Sequence, residues 1–346
     1  MTNLEKKVLF CGLGVSAQAW YRCALPANYL NQDWIGIVNG PPGEGAVLGG
    51  NIETPNDIDI DKYDIFVIEL ANGENWEKFI KENQKKGKKF IFEVDDFLHG
   101  VRKVKNHSNA KGFHKKAIKG FQRVMNLCDG MICSTDFLSN QYKKYNENQF
   151  VCKNQLDVWR YETLKPEHNG KVVVGWSGGT GHDHSILEAL KGLNAAMECN
   201  DNILFYTTSY NYAQAVGQFH PDRVVAIPWV SLENYPFVIG NFDISLAPGH
   251  ESKYHLSKSD LRWLEASASN VPVIGDKRIY HEIEDGETGF YAETEQDYFE
   301  KILYLADEKE GKERREKISS AAKAYVVENR NMETKCLHWA EVFDRI

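Results

Sequence analysis

The stretch Ser257-Lys258-Ser259-Asp260-Leu261-Arg262-Trp263-Leu264-Glu265, with the apolar run Val271-Pro272-Val273-Ile274-Gly275 close behind it, decides how this chain folds. It reads as a loop, a helix start and then a buried strand. Ser257 stands at a capping position, and Asp260 three residues on completes a capping-box pattern. The amides of Lys258 and Ser259 are then expected to be the first free donors of the helix, a place that favours an anion. At about 100° per residue, Lys258, Arg262, Glu265 and Ser269 share one stripe, and Leu261, Leu264 and Ala268 share its neighbour. The apolar stripe is core. The polar stripe joins two cations to one carboxylate a turn or more away, which suits a diphosphate with a ribose hydroxyl nearby.

Outward from this stretch, strands and helices alternate. Lys171–Trp176 opens a sheet and runs into Ser177-Gly178-Gly179-Thr180-Gly181-His182-Asp183-His184. Gly178 and Gly179 let backbone N–H groups approach a phosphate or sugar closely. No G-K-[ST] closes the loop, so it is not a Walker loop. His182-x-His184 has the spacing of metal ligands, but no third and fourth ligand follow at a usual interval. Further strands are expected at Ile203–Thr207, Val224–Ile227 and Ile244–Ala247, and His250 and Glu251 fall in the loop before the central helix. Upstream, Lys165-Pro166 to Gly170 reads as a linker.

The first half begins with a strand at Lys7–Gly12, and Gly12-Leu13-Gly14-Val15-Ser16-Ala17 fits the G-x-G-x-x-A dinucleotide fingerprint. That fingerprint wants an acid after the second strand, Trp34–Val38, where Asn39-Gly40 stand instead. A nicotinamide-binding turn and an ordinary tight turn are the two alternatives. Gly40 to Gly50 reads as a flexible loop. Ile65–Glu69 and Lys89–Val94 are strands, and Asp95-Asp96 follow the second at its carboxyl end, where open parallel sheets bind ligands. Glu93, Asp95 and Asp96 are candidates to orient an acceptor hydroxyl or hold a cation; capping the next helix is the alternative role.

From Val101 to Cys128 there is no Asp or Glu, while Arg102, Lys103, Lys105, Lys111, Lys115, Lys116, Lys119 and Arg123 accumulate. A solvated helix face and a platform for a polyanion both account for such a run. Lys103, Lys115 and Lys116 are the acceptor-side candidates within it.

Composition sets limits. The 346 residues suffice for two domains, and 42% hydrophobic content with 12% aromatics supports real cores. A net charge of −8 speaks against a general nucleic-acid binder. No apolar run approaches the roughly 18–20 residues of a membrane span. The opening residues carry no signal-peptide pattern. The seven scattered cysteines form no framework, so reduced thiols and a cytoplasmic location are expected.

Asp243-Ile244-Ser245-Leu246-Ala247-Pro248, Lys258 to Glu265, Asn270 to Ile274 and Glu282-Ile283-Glu284-Asp285-Gly286-Glu287-Thr288-Gly289 occur in an order that resembles the donor-binding half of GT-B glycosyltransferases of the broad family 4-like group. Other segments extend the resemblance. Tyr21-Arg22 with Leu25-Pro26 is similar to a "YR…LP" opening in viral and bacterial members. Glu93-Val94-Asp95-Asp96 is similar to an "E-x-D-D" segment, and Asp129 to Thr135 to an "ADxVxxST" strand. Phe150 to Asp157 is similar to the strand ending the first domain, with Lys153 in place of a usual Pro. In many relatives a Glu stands where Ser257 stands here, and Glu265 matches the second, ribose-binding Glu.

The resemblance implies an α/β fold of two Rossmann-like domains facing each other across a cleft. It implies an acceptor-side domain over 1–165, a nucleotide-sugar-binding domain over 170–330, and a terminal helix, 332–346, packed back on the first domain. It implies a retaining, metal-independent transfer of sugar from a nucleotide-diphosphate sugar, UDP-sugar first, to an acceptor hydroxyl, with no covalently bound cofactor. Lys258, Arg262, Asp95 and Asp96 would act at the reacting bond. Gly178, Gly179, Thr180, His182, Asp183, Ser257, Ser259 and Glu265 would hold the donor. Tyr21, Arg22 and Glu93, with the lysines of the basic run, would face the acceptor. Hydroxymethylated DNA bases and a surface glycan or teichoic-type polymer are the acceptor classes that fit. A non-catalytic sugar-nucleotide or polyanion binder and a nicotinamide oxidoreductase are the alternatives.

Overall fold

The computed structural model describes residues 4–52, 58–104, 110–179, 182 and 184–346. Two sheets organise them. The first contains β1 (Val8–Leu13), β2 (Asp33–Val38), β3 (Ala46–Gly50), β4 (Ile65–Glu69), β5 (Lys89–Val94), β6 (Gly130–Cys133) and β7 (Gln149–Val151), in the order β3-β2-β1-β4-β5-β6-β7. The second contains β8 (Val172–Trp176), β9 (Ile203–Thr207), β10 (Val224–Ala226), β11 (Ile244–Ala247), β12 (Val273–Gly275) and β13 (Phe290–Tyr291), in the order β10-β9-β8-β11-β12-β13. All pairings are parallel except β2 with β3. The stretch expected to be a flexible loop up to Gly50 therefore ends as an antiparallel edge strand. Gly49 and Gly50 permit it, because a Cβ on Gly50 would meet Trp34 O at 2.5 Å.

The strands read as unbroken apolar runs because helices cover both faces of each sheet. Every residue of β4 and β8 is buried. One cluster under Phe66 and Phe90 fills the outer face of the first sheet, and another around Trp176, Phe205 and Tyr298 fills that of the second. A third cluster runs between the halves, from Phe10 and Val67 through Leu156 and Met332 to Val173 and Trp263.

The terminal segment helps close this shared core. It forms two short helices, Met332–Lys335 and Leu337–Asp344, rather than one. Trp339 and Phe343 set their rings 6.1 and 5.8 Å from Phe10 on the first sheet. Among the described residues no helix is long and apolar enough to cross a membrane.

In each sheet the strand order reverses beside its first strand, between β1 and β4 and between β8 and β11. The crevices at the carboxyl ends of those strand pairs are where this topology binds ligands.

Candidate active site

At the β8/β11 crevice the chain leaves Trp176 through Ser177, Gly178 and Gly179. A Cβ on Gly178 would lie 2.3 Å from Arg262 Nη2, so only a glycine lets the guanidinium rest against this backbone. The Arg262 guanidinium also sits 5.2 Å over the Trp176 ring, and its Nη2 lies 2.9 Å from His182 Nε2. Ser185 Oγ lies 3.3 Å from the other ring nitrogen of His182. Arg262, His182 and Gly178 thus come together, while Gly179 stays exposed beside them. Thr180 and Asp183 lie outside the described residues.

The helix that carries Arg262 spans Leu261–Ala268, so it begins three residues later than the capping pattern predicted. Ser257 instead ends a short preceding helix, Lys253–Leu256, which Ser252 caps. Its hydroxyl is fully buried and donates to Tyr254 O at 2.6 Å. The Lys258 amide is taken by His255 O at 3.0 Å. The expected pair of free amides at Lys258 and Ser259 is therefore not formed, and Ser257 does not face a donor. Asp260 makes no side-chain cap because the buried Arg330 guanidinium holds its carboxylate at 2.6 Å. Ser259 Oγ accepts from Asn154 Nδ2 at 2.7 Å, a bond between segments of the two halves.

The Lys258 side chain does reach the cleft. Its ammonium bonds Asp96 Oδ1 at 2.5 Å and lies 4.4 Å over the Tyr254 ring. Burial works against that charge, but Asp96 and Tyr254 outweigh it and raise the pKa of Lys258. Lys258 and Asp96 were picked from opposite halves of the sequence, and they meet directly.

Glu265 is 4% exposed and caged by phenols. Its Oε1 accepts from Tyr21 at 2.7 Å and from Tyr161 at 3.4 Å, while Oε2 has the longer 3.5 Å contact from Tyr235. Burial pushes its pKa up to about 7, and the three hydroxyl donors and Arg262 pull the other way. Tyr21, expected on the acceptor side, instead touches the donor-side carboxylate. It lies in a π-helical turn, Trp20–Ala24, that follows the first glycine turn. Local widening of this kind re-aims side chains.

Arg22 and Glu93 do not face an acceptor. Both have no exposed surface, and they pair at 2.6 Å. Arg22 Nη1 also donates to Cys152 O and to Asn154 Oδ1, and the guanidinium lies 4.9 Å over Trp339. It ties the first sheet to the chain that crosses between halves and to the terminal helix. Asp95 accepts from Gln18 Nε2. Burial, then Asp96 and Glu93, raise its pKa well above the usual carboxylate range.

The β1/β4 crevice is already filled. Glu69 Oε2 accepts from the Leu13 amide at 2.6 Å, and the Gly14 amide goes to Ile37 O at 3.2 Å. The glycine turn thus packs within the protein rather than offering these amides to a phosphate. Glu69 was missed from the sequence, as were Tyr161 and Tyr235. Its signal was available, since Ile65-Phe-Val-Ile-Glu69 and Lys89-Phe-Ile-Phe-Glu93 both end an apolar run on a carboxylate.

The basic run starts at the cleft. Val101 and Val104 pack with Phe113 against Tyr254 of the second half. Lys103 lies in the turn Val101–Lys103, and Lys115 and Lys116 open the helix Lys115–Leu127 on its exposed face. Lys105 lies outside the described residues.

Two Rossmann-like halves with their ligand-binding strand ends turned to a common cleft define the GT-B fold. Solved structures that share it include Anabaena HepE in complex with UDP and glucose, with a TM-score of 0.68 at 12% identity over 99% of this chain and 100% of that one. A glycosyltransferase from Rickettsia africae superposes with a TM-score of 0.65 at 15% identity, covering 99% of this chain and 100% of its own. Staphylococcus aureus TarM, bound to UDP among other ligands, gives 0.58 at 16% identity over 81% of this chain and 55% of TarM. No family model and no curated protein matches the sequence.

Proposed function

We propose that the chain is a glycosyltransferase that moves a sugar from a UDP-sugar to an acceptor hydroxyl, with retention and without a metal ion in the step. The observation that carries this is the β8/β11 crevice, where the Arg262 guanidinium rests on the Gly178 backbone. The shared fold with UDP-bound HepE and TarM supports the same reading. The 170–330 half holds the donor and the 1–165 half presents the acceptor.

In the reaction the anomeric C–O bond to the diphosphate breaks and its electron pair stays on the phosphate. The acceptor oxygen bonds to the anomeric carbon, and its proton passes to the departing phosphate. Fixed cations where that charge grows usually supply the largest catalytic share. Arg262 fills this role, and Lys258 joins it once the diphosphate displaces Asp96. Asp96, so released, is free to orient the acceptor hydroxyl. Glu265 holds the ribose through Oε2, its less engaged oxygen.

The acceptor is polyanionic. Lys115 and Lys116 sit in the first turn of a helix that has no acid there, where the helix dipole disfavours cations by roughly 0.3–1 kcal/mol each. A phosphate-rich ligand offsets that cost. Hydroxymethylated DNA and a phosphate-bearing surface polymer both provide one, and the reduced thiols fit a cytoplasmic enzyme.

The test is UDP-sugar turnover with UDP binding. Arg262→Ala, Lys258→Ala and Glu265→Ala are each expected to lower transfer about 10²–10³-fold, as loss of one stabilising donor does, without unfolding the protein. Full turnover in all three would remove the site. The buried Ser257, which puts no carboxylate near the transferred sugar, favours a non-catalytic binder as the second reading; measurable release of sugar from UDP-sugar excludes it.

A further inference from the structure

We infer that the cleft holds a second anion subsite, separate from that of the donor diphosphate, which takes a phosphoryl group on a sugar- or polyol-sized acceptor. The inference rests on the glycosyltransferase reading for the word acceptor, but not for the anion. A cavity of about 440 Å³ opens where the loop after β5 meets the second half. Lys103 lines it from the first half, and His184, His250, Lys253 and His255 line it from the second. Among the described residues that line it there is no Asp or Glu, in a chain whose net charge is −8. Lys103 and Lys253 make no ion pair among the described residues. Lys258, by contrast, is neutralised by Asp96.

The cavity is built by the meeting of the two halves. Its floor is the apolar contact of Val101 and Val104 with Tyr254. A Cβ on Gly100 would come within 3.1 Å of the Tyr254 Cβ, so the glycine lets the two halves approach. The imidazoles form a chain from this cavity to the donor crevice. His184 lies 6.0 Å from His250, His250 lies 5.4 Å from His255, and His255 lies 5.9 Å from His182, which contacts Arg262. Tyr254, under the Lys258–Asp96 pair, borders it as well. An anion here therefore sits one side chain away from the acid expected to orient the acceptor hydroxyl. The volume lies in the range of small-molecule sites, roughly 300–1,000 Å³. It admits a phosphate with a polyol or sugar and is too small for duplex DNA.

The experiment titrates the full chain with glycerol 3-phosphate and with glycerol, in the absence and presence of saturating UDP, by calorimetry. Glycerol 3-phosphate is expected to bind saturably and glycerol not. Lys103→Glu and Lys253→Glu are each expected to weaken it by about tenfold, or 1.4 kcal/mol, while the UDP Kd moves less than about twofold. Lys103→Met and Lys253→Met should give smaller losses in the same direction. Equal binding of glycerol and its phosphate, or indifference to both charge reversals, overturns the subsite. A parallel loss of UDP affinity overturns it too, since the cavity then serves the donor. Displacement of glycerol 3-phosphate by a duplex oligonucleotide at equal phosphate concentration would replace the polyol by DNA and likewise overturn it. If the wild type fails to bind UDP, the glycosyltransferase reading fails, while the UDP-free titration still decides the cavity.

Discussion

The two halves bring the same topological feature to the cleft and use it in opposite ways. In both, the first strand ends in a glycine-containing turn beside the point where the strand order reverses. In the first half the turn is closed by the protein itself, because Glu69 takes the Leu13 amide. In the second half a cation, Arg262, lies against the turn, and among the described residues no carboxylate accepts from its amides. A glycine motif thus fixes backbone shape, and the neighbouring strand's last residue decides whether the crevice is available to a ligand. This is why the more familiar fingerprint, Gly12-x-Gly14-x-x-Ala17, marks packing here, and the less familiar Gly178-Gly179 marks the candidate site.

If the first half is a cemented support, its buried pair should carry much of its stability. Arg22→Met leaves Glu93 buried and unpaired, which costs about 3–5 kcal/mol. Chemical denaturation should show this loss, and the double variant Arg22→Met/Glu93→Leu should recover most of it. A loss under about 1 kcal/mol, the size of an exposed pair, would mean that the pair is not a structural pin.

Matched glycine substitutions sharpen the contrast at intermediate size. On Gly36 a Cβ would meet Gly14 O at 2.3 Å, and backbone cannot move aside. Gly36→Ala should therefore lower stability by about 1–3 kcal/mol. On Gly178 the same atom would meet the tip of Arg262, also at 2.3 Å, and the edge of the Trp176 ring at 3.0 Å, side chains rather than backbone. Gly178→Ala should cost less stability than Gly36→Ala and weaken UDP by about tenfold. Were both to act on stability alone, the two turns would be equivalent and the second would lose its claim as a ligand site.

Much of this was legible in the sequence, for physical reasons. Strands such as Lys89–Val94 and Ile203–Thr207 fall where expected, because parallel strands buried on both faces must be unbroken apolar runs. The place of Asp96 at the end of a strand facing the cleft followed from the strand pattern, but its pairing with Lys258 did not. The start of the central helix did not follow. Ser257 and Asp260 have capping-box spacing, but Arg330, 70 residues away in sequence, claims the Asp260 carboxylate. Local propensity cannot anticipate a long-range ion pair. Arg22 was misplaced for the same reason, since its partners Glu93, Asn154 and Trp339 come from three distant segments. The Glu265 cage was invisible because Tyr21, Tyr161 and Tyr235 share no spacing that a helix or strand would impose.

That cage gives the comparison its finest test, because each crevice holds one buried carboxylate. Burial raises the pKa of Glu69 well above the usual range, and it raises that of Glu265 from the ordinary 4.5 to about 7. A carboxyl held above its unfolded value binds its proton more tightly in the folded state. Its stabilising contribution is therefore complete below the ordinary value and is lost as pH rises through about 7. Ligand binding should run the other way, since an ionised Glu265 accepts ribose hydroxyls better than a neutral one. UDP affinity is expected to rise severalfold, worth about 1 kcal/mol, as pH rises through about 7, where Glu265 ionises. Glu265→Gln should flatten that rise and the matching fall in stability together. Glu69→Gln should leave the UDP profile as it is, because its carboxyl answers to the Leu13 amide and not to a ligand. A UDP profile that Glu69→Gln flattens, or that Glu265→Gln leaves intact, would exchange the roles of the two crevices.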